Sequence, residues 1–183
     1  MITVGIDEVG RGCWAGPLVA GAVILDVPIK GLKDSKLLSK KQRTLLTETI
    51  LQSAIATGLG WVEPGEIDTI GLTEAVRLAM KRALMQIQHL YDEVIIDGNF
   101  NFLNDNPKAR ALVKADTTVP AVSAASIIAK VARDNYMSQI DGPDYGFAKH
   151  SGYGTALHLE MLRLHGVSDM HRKSFKPVKA LLT

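Results

Sequence analysis

The sequence predicts an α/β fold in which a mixed sheet is flanked by helices. Three observations lead there. Two short runs rich in Val and Ile, residues 1–6 and 18–25, are separated only by a glycine-containing segment, as neighbouring strands of one sheet are. Two later apolar runs, residues 93–96 and 111–114, alternate with helical patterns and add further strands. The most regular of those patterns, Leu72, Val76, Ala79, Ala83, Ile87 and Leu90, recurs every three or four residues and marks the apolar stripe of a long amphipathic helix. With 183 residues, 46% hydrophobic and 22% charged, the chain suits a single domain with a sizeable core, and neither a disordered tail nor a fibre.

In chain order, the first strand ends on Asp7 and Glu8. Ser39-Lys40-Lys41-Gln42 has the form of a capping box, and Leu45, Leu46 and Ile50 follow at helical spacing, so a helix runs from about residue 39 to 53. Residues 55–62 form a third strand, loosened by Gly58 and Gly60 and ended by the turn chemistry of Pro64-Gly65. After the long helix, the strand at 93–96 stops at Asp97-Gly98 and the one at 111–114 ends at Asp116. Beyond Pro120, Ala124, Ile127, Ile128 and Val131 form one helical stripe, while Ser126, Lys130 and Asp134 lie along a polar one at i, i+4, i+8. A last helix starts at the capping residue Thr155 and stops at Gly166, leaving a basic stretch at 171–179.

Composition narrows the function classes. Cys13 is the only cysteine, which excludes an intrachain disulfide and a multi-cysteine zinc cluster and points to a reducing cytoplasm. The longest apolar run, residues 18–25, is far short of the roughly 20 residues a bilayer demands, so no membrane partner is expected. Asp7 and Glu8 stand where a secretory signal would place basic residues. The net charge of +2 does not by itself suggest a polyanion, but its distribution does. Six basic residues face only Asp34 between residues 30 and 43, and residues 171–179 carry four Lys or Arg and no acid. Taken alone, Lys40, Lys41 and Arg43 read as solvating the first turn of a helix.

Asp7, Glu8, Asp97 and Asp116 sit at or just past three predicted strand ends, where open α/β sheets place their functional sites. Converging carboxylates raise one another's pKa values, whereas a hard cation such as Mg²⁺ prefers carboxylate oxygen and neutralises them. The sharp reading is a two-metal site for in-line phosphoryl transfer. For any one of these acids, a loop cap or a solvated turn is the simpler account; the pattern across several strand ends favours the site.

Gly10-Arg11-Gly12 follows the first two acids, and Ala15-Gly16-Pro17 closes the loop. Glycines let backbone amides approach a phosphate, and arginine donates to it bidentately. The spacing misses the dinucleotide fingerprint, and a plain structural turn is the alternative for the glycines. Tyr153, between Gly152 and Gly154, is a candidate for stacking on a sugar or base, or a rim residue with its hydroxyl satisfied by backbone. His89, His158, His165 and His171 are too widely spread for a metal motif, and His158 and His165 read as helix-surface residues. Trp14 and Trp61 read as packing.

The motifs together resemble one family, bacterial ribonuclease HII (type 2 ribonuclease H), nearly end to end. The matching segments are Gly5-Ile6-Asp7-Glu8-Val9-Gly10-Arg11-Gly12 with Ala15-Gly16-Pro17, Asp34-Ser35-Lys36, Ile96-Asp97-Gly98-Asn99, and Lys114-Ala115-Asp116 followed by Ala124-Ala125-Ser126-Ile127-Ile128-Ala129-Lys130. Gly152-Tyr153-Gly154-Thr155 and His171-Arg172-Lys173-Ser174-Phe175 complete them. The resemblance implies a ribonuclease H-like fold. It also implies hydrolysis of RNA in RNA/DNA hybrids and a cut on the 5′ side of a single ribonucleotide in duplex DNA, leaving 3′-hydroxyl and 5′-phosphate ends. By the same resemblance Asp7, Glu8, Asp97 and Asp116 would hold Mg²⁺ or Mn²⁺. Gly10, Arg11, Gly12 and Tyr153 would sense the 2′-hydroxyl and the junction, Ser35 and Lys36 would touch substrate, and Lys130 and Asp134 would support them. A monomer is expected. Ser151 stands where many relatives have lysine, and Val167-Ser168 replaces a common Gly-Pro. Two alternatives are a different metal-dependent nuclease of the same fold, without the junction-sensing pair, and a non-catalytic nucleic-acid-binding module indifferent to metal.

Overall fold

Five strands make one sheet in the order β3-β2-β1-β4-β5, with β1 at Thr3–Val9, β2 at Leu18–Leu25, β3 at Ala54–Val62, β4 at Glu93–Asp97 and β5 at Ala109–Leu112. The structure is a computed structural model describing residues 1–32, 35–140 and 145–182; Lys33, Asp34 and the side chain of Lys36 lie outside the described residues. Pairing of β1 with β2 and of β2 with β3 is antiparallel, and of β1 with β4 and β4 with β5 parallel, which is the mixed sheet expected. The helices are α1 (Lys40–Ser53), α2 (Pro64–Ile70), α3 (Leu72–Leu84), α4 (Ala115–Thr118), α5 (Pro120–Ile140), α6 (Phe147–His150), α7 (Ala156–His165) and α8 (Lys176–Lys179).

The sheet is covered on both faces. On one, Val4, Ile6, Ala20, Ala22 and Ile96 pack with Val76, Ala79, Met80 and Ala83 of α3. On the other, Val23 packs with Ala124, Ala125, Ile127 and Ile128 of α5 and Ile50 of α1. Gly60 does not loosen β3 as its propensity suggests. A Cβ there would collide with the carbonyl of Ala79, so the glycine lets the α3 backbone settle directly on the strand.

Local signals translate directly where they are complete. Ser39 caps α1 in a reciprocal box with Gln42, and Thr155 caps α7 by accepting from the His158 N–H. Four boundaries differ, each for a physical reason. β1 continues through Asp7, Glu8 and Val9, which pair with Gly21, Ala20 and Val19, because ladder bonds need no apolar side chain. Pro64-Gly65 opens α2 rather than a turn, with Pro64 in the first turn and a Glu63–Glu66 capping box. α3 stops at Leu84; Gln86 then binds the backbone of Leu59 through both halves of its amide, and Leu90 is exposed. β5 ends at Leu112, and Lys114 in the left-handed region (φ 58°) turns the chain into α4, so Asp116 lies in a helical first turn.

The C-terminal basic stretch is solvated only in part. His171 and Arg172 are buried, and Asp68 of α2 accepts from the backbone N–H groups of Lys173 and Ser174, which leaves Lys173, Lys176 and Lys179 as its exposed cations.

Candidate active site

Parallel pairing of Ile6 with Ile96 puts Asp7 and Asp97 side by side, one residue further along adjacent strands. Alternation sends Ile6 and Ile96 into the α3 core and turns Asp7 and Asp97 toward α5. Asp7, Glu8 and Asp97 line one cleft of about 250 Å³ together with Gly10, Arg11, Gly12, Ser35, Ser126, Lys130 and Tyr153. Asp116 borders a neighbouring open hollow shared with Asp97, Gly98 and Asn99, and its backbone N–H donates to Asp97 Oδ1 at 3.2 Å. Three of the four acids thus meet in one cleft, and the fourth is tied to it through Asp97.

The electrostatics are those of an acid cluster short of positive charge. Burial first, then the neighbouring Glu8 and Asp97, pushes Asp7 up to about 7; a hydrogen bond from Ser126 opposes this. Burial also raises Glu8, against the pull of Arg11, whose Nη1 lies 3.2 Å from Glu8 Oε1. Among the described residues no three His, Cys, Asp or Glu side chains stand close enough together to hold a metal ion between them as they are placed, so the acids line the cleft without converging on one point. Half-buried carboxylate oxygens lining one cleft, two of the groups with raised pKa, are the type of donor a hard divalent cation prefers.

The remaining sequence candidates surround these acids. Ser35 Oγ is buried 3.0 Å from Ser126 Oγ and so backs Asp7. Lys36 shares the single 3-10 turn at Ser35–Leu37. Lys130 Nζ pairs with Asp134 at 2.8 Å and lies 5.6 Å from the centre of the Tyr153 ring, so Asp134 holds a cation between that ring and the cleft. Tyr153 is 40% exposed, and burial raises the pKa of its hydroxyl, with the nearby Cys13 thiol adding to the shift.

Sequence reasoning missed the residues that hold the loops. Arg133 is fully buried in α5 and donates to the carbonyls of Ala15, Pro17 and Ser151 at 2.8–3.0 Å. It joins the loop after β1 to the one bearing Tyr153. Arg172, also fully buried, donates to the carbonyls of Gly16 and Arg11. A sequence signal existed for Arg133: it falls at i+4 between the buried Ala129 and Met137, where a surface arginine has no place. Gly152 (φ 80°) is needed because a Cβ would collide with the Ala15 carbonyl at this junction. His158, expected on the helix surface, is fully buried, because α7 packs that face against Trp14 and Phe147.

A mixed five-stranded sheet with an acid-lined cleft at its strand ends defines the class, a ribonuclease H-like nuclease. The ribonuclease H2 from Pyrococcus horikoshii OT3 superimposes with a TM-score of 0.81 at 26% identity, covering 99% of this chain and 97% of that one. Bst-RNase HIII, solved in complex with Mn²⁺, shares the fold at a TM-score of 0.74 and 21% identity, covering all of this chain and 69% of that one. The chain belongs to the ribonuclease HII family, whose profile matches residues 4–178. The ribonuclease HII of Shewanella loihica is 48% identical over 184 residues, spanning 97% of this chain and 88% of that protein.

Proposed function

We propose that this chain hydrolyses the RNA strand of RNA/DNA hybrids and cuts on the 5′ side of a single ribonucleotide embedded in duplex DNA. The observation that carries the reading is the composition of one cleft, with Asp7, Glu8 and Asp97 on its sheet side and Gly10–Gly12 and Tyr153 on its loop side. Asp7, Glu8, Asp97 and Asp116 would hold two divalent ions, Mg²⁺ or Mn²⁺. When bound, these supply an activated water and charge stabilisation for in-line displacement, giving 3′-hydroxyl and 5′-phosphate ends. The chain's own residues orient the substrate. The Gly10–Gly12 turn brings backbone within reach of a 2′-hydroxyl, and Arg11 offers donors to the adjacent phosphate. Tyr153 stacks on the sugar at the ribose–deoxyribose junction, Ser35 and Lys36 meet the strand beside it, and Lys130 keeps positive charge along its path. The same proposal takes the chain as one catalytic domain acting as a monomer in the cytoplasm.

The test is cleavage of a duplex bearing one ribonucleotide, run with and without Mg²⁺ beside an all-DNA duplex and a uniform hybrid. Metal-dependent cutting 5′ of the ribonucleotide, with the DNA untouched, is the expected result. Cutting of uniform hybrid alone would refute the junction reading, and binding without any metal-dependent cleavage would refute the catalytic one.

A further inference from the structure

Behind Tyr153 three histidines, His150, His158 and His171, are buried together, outside the acid-lined cleft. Their hydrogen bonds fix the position of every ring proton. The Ser168 N–H donates to His171 Nδ1 at 3.1 Å, so that nitrogen is an acceptor and the proton sits on Nε2. His171 Nε2 lies 3.1 Å from His158 Nε2, which must therefore accept, leaving the His158 proton on Nδ1. His158 Nδ1 is 2.9 Å from the Tyr153 carbonyl oxygen, to which it donates. One directed chain thus runs from the Ser168 amide through His171 and His158 to the backbone of Tyr153. His150 obeys the same logic beside it, accepting at Nδ1 from the Gly152 N–H (3.2 Å) and donating from Nε2 to the Tyr145 carbonyl (2.9 Å).

All three rings are neutral in this arrangement. Adding a proton to His158 or His171 would set two N–H groups against each other across 3.1 Å. Burial lowers both pKa values, that of His171 to about 4; the neighbouring His150 adds to this for His158, and His158 and His150 add to it for His171. The rings facing the pair are those of Trp14, Tyr145, Phe147 and His150. Burying three polar rings among aromatics costs desolvation that leucines would avoid; what they add is direction, because a completed polar network selects one geometry. The geometry selected is that of a backbone flanked by two glycines, Gly152 and Gly154, which has little stiffness of its own.

We infer that His158 and His171 are positioning residues for substrate recognition, a relayed pair whose hydrogen bond to the Tyr153 carbonyl sets the pitch at which the Tyr153 ring meets the ribose at the junction. The inference rests on the proposed role of Tyr153 as junction reader.

Two measurements test it. The first reads the ring nitrogens of the wild-type protein by ¹⁵N-correlated NMR at pH 6.5–8. His158 is expected as the neutral Nδ1–H form and His171 as the neutral Nε2–H form; the reverse assignment or a charged ring in either would overturn the relay, whether or not any variant folds. The second is single-turnover cleavage of a single-ribonucleotide duplex and of a uniform hybrid by His158→Leu, His158→Asn, Tyr153→Ala and Tyr153→Ala/His158→Leu. His158→Leu should lose about tenfold on the single ribonucleotide, the rate equivalent of one hydrogen bond, and less on the hybrid. His158→Asn, whose amide can stand in for Nδ1–H, should recover most of the loss, and in the Tyr153→Ala background His158→Leu should add nothing. Equal losses on both substrates in His158→Leu, or full additivity with Tyr153→Ala, would make the histidines merely structural. Equal losses on both substrates in Tyr153→Ala would overturn the junction reading and this inference with it. A selective loss in Tyr153→Ala with none in His158→Leu would overturn this inference alone.

Discussion

The two sides of the cleft are built on opposite electrostatic terms. On the sheet side Asp7, Glu8 and Asp97 face one another, with the half-exposed Arg11 as the cation paired to Glu8. On the loop side the buried Arg133 and Arg172 and the histidine relay meet backbone carbonyls, and among the described residues neither arginine has a carboxylate partner. The acids repel one another, and under the proposed function a bound cation would complete their arrangement. The loops are held by donors already in place, so their geometry precedes the substrate. Substitutions on the sheet side should therefore change chemistry more than stability, and those on the loop side should change stability and selectivity.

The largest effect expected is on chemistry. Asp97 belongs to both the cleft and the hollow holding Asp116, so Asp97→Asn should keep the fold and reduce single-turnover cleavage at saturating Mg²⁺ by about 10³-fold or more, because charge stabilisation carries most of such catalysis. Activity within tenfold of wild type would remove Asp97 from the site. Next comes the opposite kind of change. Arg133→Met strips three carbonyls of their donor, two of them in buried hydrogen bonds, and should cost about 3–5 kcal/mol in urea unfolding. A loss below about 1 kcal/mol would mean that the loops stand without it.

This contrast also governs what the sequence could reveal. Acids at strand ends are visible because the strand pattern and the carboxylates lie in one segment, as in Ile96-Asp97, and capping boxes such as Ser39 with Gln42 are visible for the same reason. The loop side is written in long-range partners. Arg133 meets carbonyls 116 and 118 residues away, and the pairing of His158 with His171 forms only after α7 has docked, so no local pattern announces either. Asp116 is intermediate: its proximity to Asp97 was expected, but the helical turn that presents it depends on the left-handed Lys114.

A smaller effect tests the loop side through recognition. Tyr153→Ala should cost roughly 1–3 kcal/mol of transition-state binding on a single-ribonucleotide duplex and clearly less on a uniform hybrid. Parallel kcat/KM measurements on the two substrates check it. Equal losses would make Tyr153 a packing residue held by Cys13 and Lys130.

The smallest effect separates the two sides by pH. Asp7 has its pKa raised from 3.8 to about 7, so the metal-free native state keeps a proton there that the unfolded chain releases. Between pH 4 and 7 the native state binds more protons, so its stability must fall as pH rises: the favourable contribution is complete below about 3.8 and is lost as pH passes the folded value near 7. Asp7→Asn has no such proton to lose. In EDTA at pH 8 it should therefore be more stable than wild type by about 1–2 kcal/mol, a rise in Tm of roughly 2–8 °C for a chain of this size, and the advantage should vanish toward pH 4. Mg²⁺ should reverse the order. At about 100 times its Kd, the ion stabilises wild type by on the order of 2.7 kcal/mol, and a variant lacking a ligand gains clearly less. Thermal scans of both proteins across pH 4–8, with EDTA and with Mg²⁺, give the comparison. If Asp7→Asn melts below wild type at pH 8 in EDTA and responds to Mg²⁺ as strongly, the carboxylate is a structural cap. The sheet side would then be as preorganised as the loop side, and the contrast between them would fail.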